Sequence, residues 1–427
     1  MKLGENITDV HKANRCLVLK ILNKVDKISR VDLSRQTGLN KATITNIINE
    51  FTQLGIVQSS GAVQASNGRR TAGISLHMHD IATIVIRINR QRLSFGICNV
   101  HGELIHLKKV VYDHEDGIQD ILDKLFFHTE EMLALSRGKK VLGISIAILG
   151  WLYRRRDSYI AMTDGFPELS KADIKKEMEN HFPGYFVILD HDANMSALAE
   201  WKEYTKNSGI TSGGSMLNIA CGIGLGGGII IDGKLFHGKC GVAGEVGHMG
   251  INFNSEIYAA NSTNYTGMYE EYASPRAMHR DVMNRLMDFP DTPLNENSTI
   301  HDVYEQYEND DLLATWAVNR MAKMLAYGLV GLLYVLNPDV IVLGDEIIHS
   351  DRFLKRLRSI LQGYLPAPLY EALDIRISSF NSDSVLIGAG IAMTNYYLDT
   401  HKMIDFLNRH FVTSLGVSSS TGADINY

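Results

Sequence analysis

The 427-residue chain is poor in cysteine, in long apolar runs and in net positive charge. Its four cysteines (Cys16, Cys98, Cys221 and Cys240) stand far apart and form no C-x-x-C pair. That spacing argues against a disulfide framework and fits a reducing compartment. The opening MKLGENITDVHKANR has no apolar core of signal-peptide length, and no run approaches the roughly 20 apolar residues of a membrane span. A soluble, cytoplasmic protein is expected. A formal net charge of −6 argues against a surface coated uniformly for nucleic acid. The charge is uneven, however: residues 1–78 hold 11 Lys and Arg against 5 Asp and Glu, and the remainder 31 against 43. A basic head on an acidic body fits a DNA-binding module joined to a small-molecule domain, with chance unevenness as the alternative. At 45% hydrophobic residues, the chain is long enough to bury two or three cores.

The stretch from Leu217 to Met249 organises what is there. An apolar run leads into Gly222, Gly224, Gly226, Gly227 and Gly228; Ile229 to Ile231 follow, and Asp232-Gly233 closes a turn. This pattern predicts a β-hairpin whose backbone N–H groups can approach an anion without Cβ obstruction, or simply a tight glycine hairpin. Next comes Ala243-Gly244-Glu245-Val246-Gly247-His248-Met249. Hairpin, spacing and Glu-His pair together resemble the ROK family (repressors, open reading frames and sugar kinases). The resemblance implies a two-lobed α/β body of the actin/hexokinase, ribonuclease H-like type, with Glu245 and His248 facing a sugar. Family members are sugar kinases or sugar-responsive repressors.

The head favours the second. Apolar residues from Asn14 to Leu22 predict a first helix. A short helix that Ser29 or Ser34 can cap ends at Gly38, and Asn40 caps KATITNIINEFTQLG. Ile44, Ile47, Ile48 and Phe51 fall on one helical stripe, while Lys41, Thr43, Thr45, Asn46 and Asn49 lie opposite. Two helices joined by a short glycine turn, the second with short polar side chains outward, is the helix-turn-helix plan. An ordinary surface helix is the alternative. Thr and Asn side chains can read base edges, and Lys41 can meet phosphate. Two strands then flank a polar tip with Asn67-Gly68-Arg69-Arg70, a wing whose Arg69 and Arg70 would enter a minor groove or grip phosphates. A winged head with a Gly-Arg tip also resembles the repressor branch of the family, whose kinases lack it.

The body departs from the kinase pattern. Where family kinases read D-x-G-G-T, for handling Mg-ATP, this chain has Arg87-Ile88-Asn89-Arg90-Gln91. Metal-phosphate chemistry needs the missing acceptor oxygen and backbone clearance, so ATP is not expected as a cofactor. Leu149-Gly150 stands where the resemblance implies a Pro-Gly sugar loop, with Leu149 in place of the proline, and Asp164-Gly165-Phe166-Pro167 is either a sugar-lining turn or a bland loop. Asp192 sits where an apolar strand meets a helix; it is either an N-cap or a proton acceptor for a sugar hydroxyl. The resemblance aligns Asp192 with the family's catalytic base and His191 with its sugar-binding Asn. In NSTNYTGMYEEYAS, Glu270 matches a sugar-facing Glu, but Asn261, Thr263 and Met268 replace three zinc-binding cysteines. Structural zinc needs four strong ligands, and no metal is expected. Asp345 replaces a second glycine on the nucleotide side.

We therefore expect a winged helix-turn-helix over residues 1–78, a two-lobed sugar domain over 79–403, and a partly disordered Ser-, Thr- and Gly-rich tail over 404–427. The expected function is a sugar-responsive transcriptional regulator that binds operator DNA as a dimer, carries no catalytic residue and takes no cofactor. His191, Asp192, Glu245, His248 and Glu270 would meet the sugar. Lys41, Thr43, Thr45, Asn46, Arg69 and Arg70 would meet DNA. The alternatives are an active ATP-dependent sugar kinase and a constitutive DNA binder controlled by a protein partner.

Overall fold

The computed structural model describes residues 7–411, apart from 65–69, 91, 113–115, 156–157, 163–166, 209–212, 223, 253–266 and 381–382. The expectations for Arg69, Gln91, Asp164 to Phe166, Asn261, Thr263 and residues 412–427 therefore lie outside the described residues.

The head consists of α1 (Ile7–Leu22), β1 (Ile28–Ser29), α2 (Arg30–Thr37), α3 (Lys41–Gln53), β2 (Val57–Gln64) and β3 (Arg70–Leu76). Ser29 caps α2 by accepting the Asp32 N–H at 3.0 Å, and Gly38 ends it in the left-handed region at φ 71°. Asn40 caps α3 by accepting the Thr43 N–H at 2.8 Å. The stripe Ile44, Ile47, Ile48 and Phe51 is buried. Strands β2 and β3 run antiparallel from Val57 opposite Leu76 to Gln64 opposite Arg70, and β1 joins β3 to complete a three-stranded sheet. Helix, turn, helix and hairpin give the winged arrangement. Helix α1 starts at Ile7 rather than Asn14, because its polar first turns are still helical.

The first lobe holds β4 (Ile81–Ile88), β5 (Arg92–Asn99), β6 (Leu104–Val111), α4 (Ile118–Leu135), β7 (Lys140–Ile148), β8 (Trp151–Arg155), β9 (Ser158–Met162), α5 (Ile174–His181) and β10 (Phe186–His191). Helix α6 (Asp192–Ser208) follows. The second lobe holds β11 (Met216–Cys221), β12 (Leu225–Ile231), β13 (Lys234–Leu235), α7 (Glu270–Ala273), α8 (Pro275–Met283), α9 (Ile300–Glu308), α10 (Leu312–Leu336), β14 (Val340–Asp345), α11 (Asp351–Tyr364), α12 (Ala367–Glu371) and β15 (Ile375–Ile377). The main sheets run β10-β7-β4-β5-β6 and β13-β12-β11-β14-β15. Each is an antiparallel meander with two parallel strands added on the other side of its first strand. The same topology thus occurs twice, which makes the body a two-lobed ribonuclease H-like fold. Strands β4 and β7 are almost wholly buried, as parallel strands covered on both faces must be.

Helix α13 (Ser384–Asp399) returns from the second lobe to cover β4 and β7 of the first and crosses α6, which itself packs on β11 and β12. Crossing is close: a Cβ on Gly388 would fall 1.6 Å from the Met195 carbonyl oxygen. Gly388→Ala is expected to destabilise the protein by about 3 kcal/mol, since neither backbone can retreat without splitting the helix pair. Urea unfolding measures this, and an unchanged midpoint would refute the contact.

Part of the stretch expected as a tail is helical. Residues Lys402–Phe411 form a helix, α14, and Met403, Ile404, Phe406 and Leu407 are buried. They share one core with Cys16, Leu19 and Leu22 of α1 and with Met393 and Tyr397 of α13. Ion pairs Lys12–Asp405 (2.7 Å) and Lys20–Asp399 (2.6 Å) flank it. Apolar spacing in KMIDFLNRHF, masked by the polar residues after it, defines this amphipathic helix. No described helix is long and apolar enough to cross a membrane.

Candidate functional site

Strand β10 ends in Asp190 and His191, and Asp192 opens α6, so three ionisable residues emerge together where the lobes meet. Each has partners. Arg87, near the end of β4, lies 3.3 Å from Asp192 and 3.8 Å from Asp345 at the end of β14. His191 lies 3.3 Å from Asp192 through Nε2 and 3.8 Å from Glu245 through Nδ1. Asp190 accepts three hydrogen bonds: from the His191 N–H at 2.7 Å, from Asn194 Nδ2 at 2.8 Å, and from His237 Nε2 at 2.6 Å. Arg87–Asp345, His191–Glu245 and Asp190–His237 each join the first lobe to the second.

The proton affinities follow from this crowding. Burial opposes charge on His191, but Glu245, Asp192 and Asp190 outweigh it and raise its pKa. Burial would raise the Asp190 carboxyl, yet His237, Asn194 and the His191 N–H pull it below its ordinary value. Burial pushes Asp345 up to about 6, with Arg87 opposing and Asp192 and Glu346 assisting.

The glycine hairpin adjoins this cluster for a reason the sequence did not give. A Cβ on Gly224 would meet Glu270 Oε2 at 2.4 Å, and one on Gly228 would meet Ala197 Cβ of α6 at 2.4 Å. On Gly226 it would lie 3.3 Å from His191 Cε1. The glycines let β12 lie against α6 and the acids. Glu270 accepts the Leu225 N–H at 3.2 Å and also packs under Gly247, so the Glu245-Gly247-His248 turn and α7 meet on the hairpin. His191, Asp192 and Glu245 are thus brought together where the lobes face each other, Glu270 lies against the hairpin at Gly224, and His248 follows Glu245 in the same turn. Asp190, His237 and the Asp345 partner of Arg87 were missed. An apolar strand ending in Asp-His-Asp was the available signal for Asp190.

Met268 is buried and forms a bridge with Gly250, presenting a thioether where zinc would need a thiolate. Among the described residues no cluster of His, Cys, Asp and Glu could hold a metal. A hollow of about 410 Å³ opens beyond Asp345, walled by Tyr304, Glu305, Glu308, Glu346 and His349; it meets the Arg87 cluster at Asp345.

On the head, Lys41, Asn46 and Arg70 are exposed, and Thr43 and Thr45 half-exposed. The Thr45 hydroxyl donates to the Lys41 carbonyl at 2.8 Å, so it is turned toward its own helix. Asn49 is engaged by Arg30 at 3.2 Å.

The sequence signature of the ROK family matches residues 83–395. A xylose repressor of Caldicellulosiruptor bescii is 27% identical over 411 residues, covering 91% of this chain and 96% of its own length. A glucokinase of Halalkalibacterium halodurans is 27% identical over 331 residues, covering 73% of this chain and 95% of its own. A solved ROK family transcriptional regulator, described as a homologue of the E. coli MLC protein, superposes with a TM-score of 0.75 at 22% identity. It covers 93% of this chain and 99% of that one.

Proposed function

Since this chain belongs to the ROK family, we propose that it is a sugar-responsive transcriptional repressor whose cleft binds an effector and performs no phosphoryl transfer. One continuous packing path carries the reading. Asp192 opens α6, α6 crosses α13, and α13 shares a core with α1 of the head and α14. A sugar hydrogen-bonded by Asp192, His191, Glu245, His248 and Glu270 would shift the lobes, and α13 would carry the shift to the head. The sugar can bias operator binding only by its difference in affinity between the two lobe arrangements.

The Arg87 guanidinium speaks against kinase chemistry. It occupies Asp192, the one carboxylate suited to accept the sugar proton, and stands where a metal-phosphate site would need an acceptor oxygen. A glucokinase among the relatives keeps a kinase reading open to assay; sugar-dependent ADP formation would establish it. The direct test of the repressor is fluorescence anisotropy on DNA from upstream of its own gene, titrated with D-xylose, D-glucose and other hexoses and pentoses. Release by one sugar supports it. Tight binding indifferent to every sugar sinks it in favour of control by a protein partner.

Operator binding as a dimer is part of the proposal, because two recognition helices must meet successive major grooves. Tyr334 and Val335 are 61% and 79% exposed on α10, next to exposed Tyr327 and Tyr364, an apolar face suited to a second copy. The double change Tyr334→Glu, Val335→Glu is expected to halve the mass measured by light scattering and weaken operator binding at least 10-fold. A wild-type mass would move the interface elsewhere.

A further inference from the structure

Asp190 and His237 are not among the expected sugar residues, yet Asp190 holds the backbone of one of them, His191. Asp190 is half-buried, and one of its oxygens holds both the His191 N–H and Asn194, which fixes the turn from β10 into α6. Its other oxygen takes His237 Nε2 at 2.6 Å. His237 lies in the loop after β13 that leads to Glu245 and His248. The loop is closed on itself by the Ala243 N–H donating to the His237 carbonyl at 3.2 Å. It also docks on the first lobe through the Arg154 N–H, which donates to the Cys240 carbonyl at 3.0 Å. A single carboxylate thus orients His191 from below and tethers the segment carrying Glu245 from across the cleft.

We infer that Asp190 and His237 form a positioning pair, a clasp across the lobes that sets His191 against Glu245 and so determines how tightly a sugar is held. This rests on the sugar-binding reading of the cleft. The clasp closes a loop whose ends both belong to the second lobe, so losing it frees the loop without unfolding either sheet. The imidazole is 45% exposed and can exchange protons with solvent.

The clasp has a direction in pH. His237 faces Asp190 from β10, which raises its pKa, and Arg154 from β8, which with burial lowers it; the net shift is upward. A raised histidine contributes fully below its unfolded value of about 6.5, and that contribution is lost as pH climbs through the folded value. The clasp therefore holds in mild acid and weakens as pH rises through the folded value.

Hydrogen exchange of the ligand-free protein tests this in wild type, His237→Ala and His237→Arg at pH 6.0 and 8.5, after correction for intrinsic rates. At pH 6.0 the amides of residues 236–248 are expected to be about 10-fold better protected in wild type than in His237→Ala. At pH 8.5 the two should converge, while His237→Arg, a permanent cation, keeps its protection at both. Equal protection of wild type and His237→Ala at pH 6.0 overturns the clasp. Calorimetry with D-xylose and D-glucose reads the positioning role. A sugar that binds wild type should bind His237→Ala about 10-fold more weakly at pH 6.0 and equally at pH 8.5. Unchanged sugar affinity with lost loop protection would refute positioning. If wild type binds neither sugar, that counts against the cleft reading, and the exchange contrast still decides the clasp.

Discussion

Asn46→Glu is expected to weaken operator binding at least 100-fold while leaving the fold intact. Asn46 is exposed at mid-helix on α3, opposite the buried stripe of Ile44, Ile47, Ile48 and Phe51, and Glu is a better helix former there. An amide in that position can bond adenine in two places, a contact worth about 1–3 kcal/mol of discrimination. A carboxylate forfeits that contact and adds repulsion against the phosphates on either side of the groove. Lys41→Ala should behave differently. It removes a positioning charge, so binding should fall by a similar factor on operator and scrambled duplex, with the salt slope reduced by about 1. Anisotropy on both duplexes at two salt concentrations separates the cases. Wild-type operator affinity for Asn46→Glu would remove α3 from the groove.

Glu245→Gln should abolish the sugar response and spare operator binding. A hydrogen bond from a sugar hydroxyl to a carboxylate contributes about 1.5–3 kcal/mol, so losing the charge should cost about 10- to 100-fold in sugar affinity. The change also removes the charge that stands 3.8 Å from His191. Asp192→Asn is expected to lose at least as much sugar affinity and to lower stability as well, because it takes the nearest carboxylate from the half-buried Arg87, leaving Asp345 at 3.8 Å. His191 touches both acids, so the double variant should fall short of the sum of the two single losses. Sugar titrations of wild type and variants, each bound to operator, measure this. A Glu245→Gln protein still released by the same sugar concentration would exclude Glu245 from the site.

Local pattern determined much of this protein. The caps Ser29 and Asn40, the Gly38 stop and the 3.6-residue stripe of α3 are read within one or two helical turns, and the structure has them as expected. The β11–β12 hairpin and the junction at Asp192 were legible for the same reason: strand alternation and turn residues act over a few positions. Tertiary structure alone decided what the charges do. Arg87 reads in sequence as a missing acid, but its partners lie 105 and 258 positions away, and only folding brings them together. Nor does local sequence reveal that Asp190 meets His237, or that the hairpin glycines exist to admit α6 and Glu270. Helix α14 was lost among polar residues because its apolar face acquires meaning only against α1 and α13. Backbone conformation is set by neighbours in the chain, and those can be read. Electrostatics and packing are set by neighbours in space, which in this protein come from the opposite lobe.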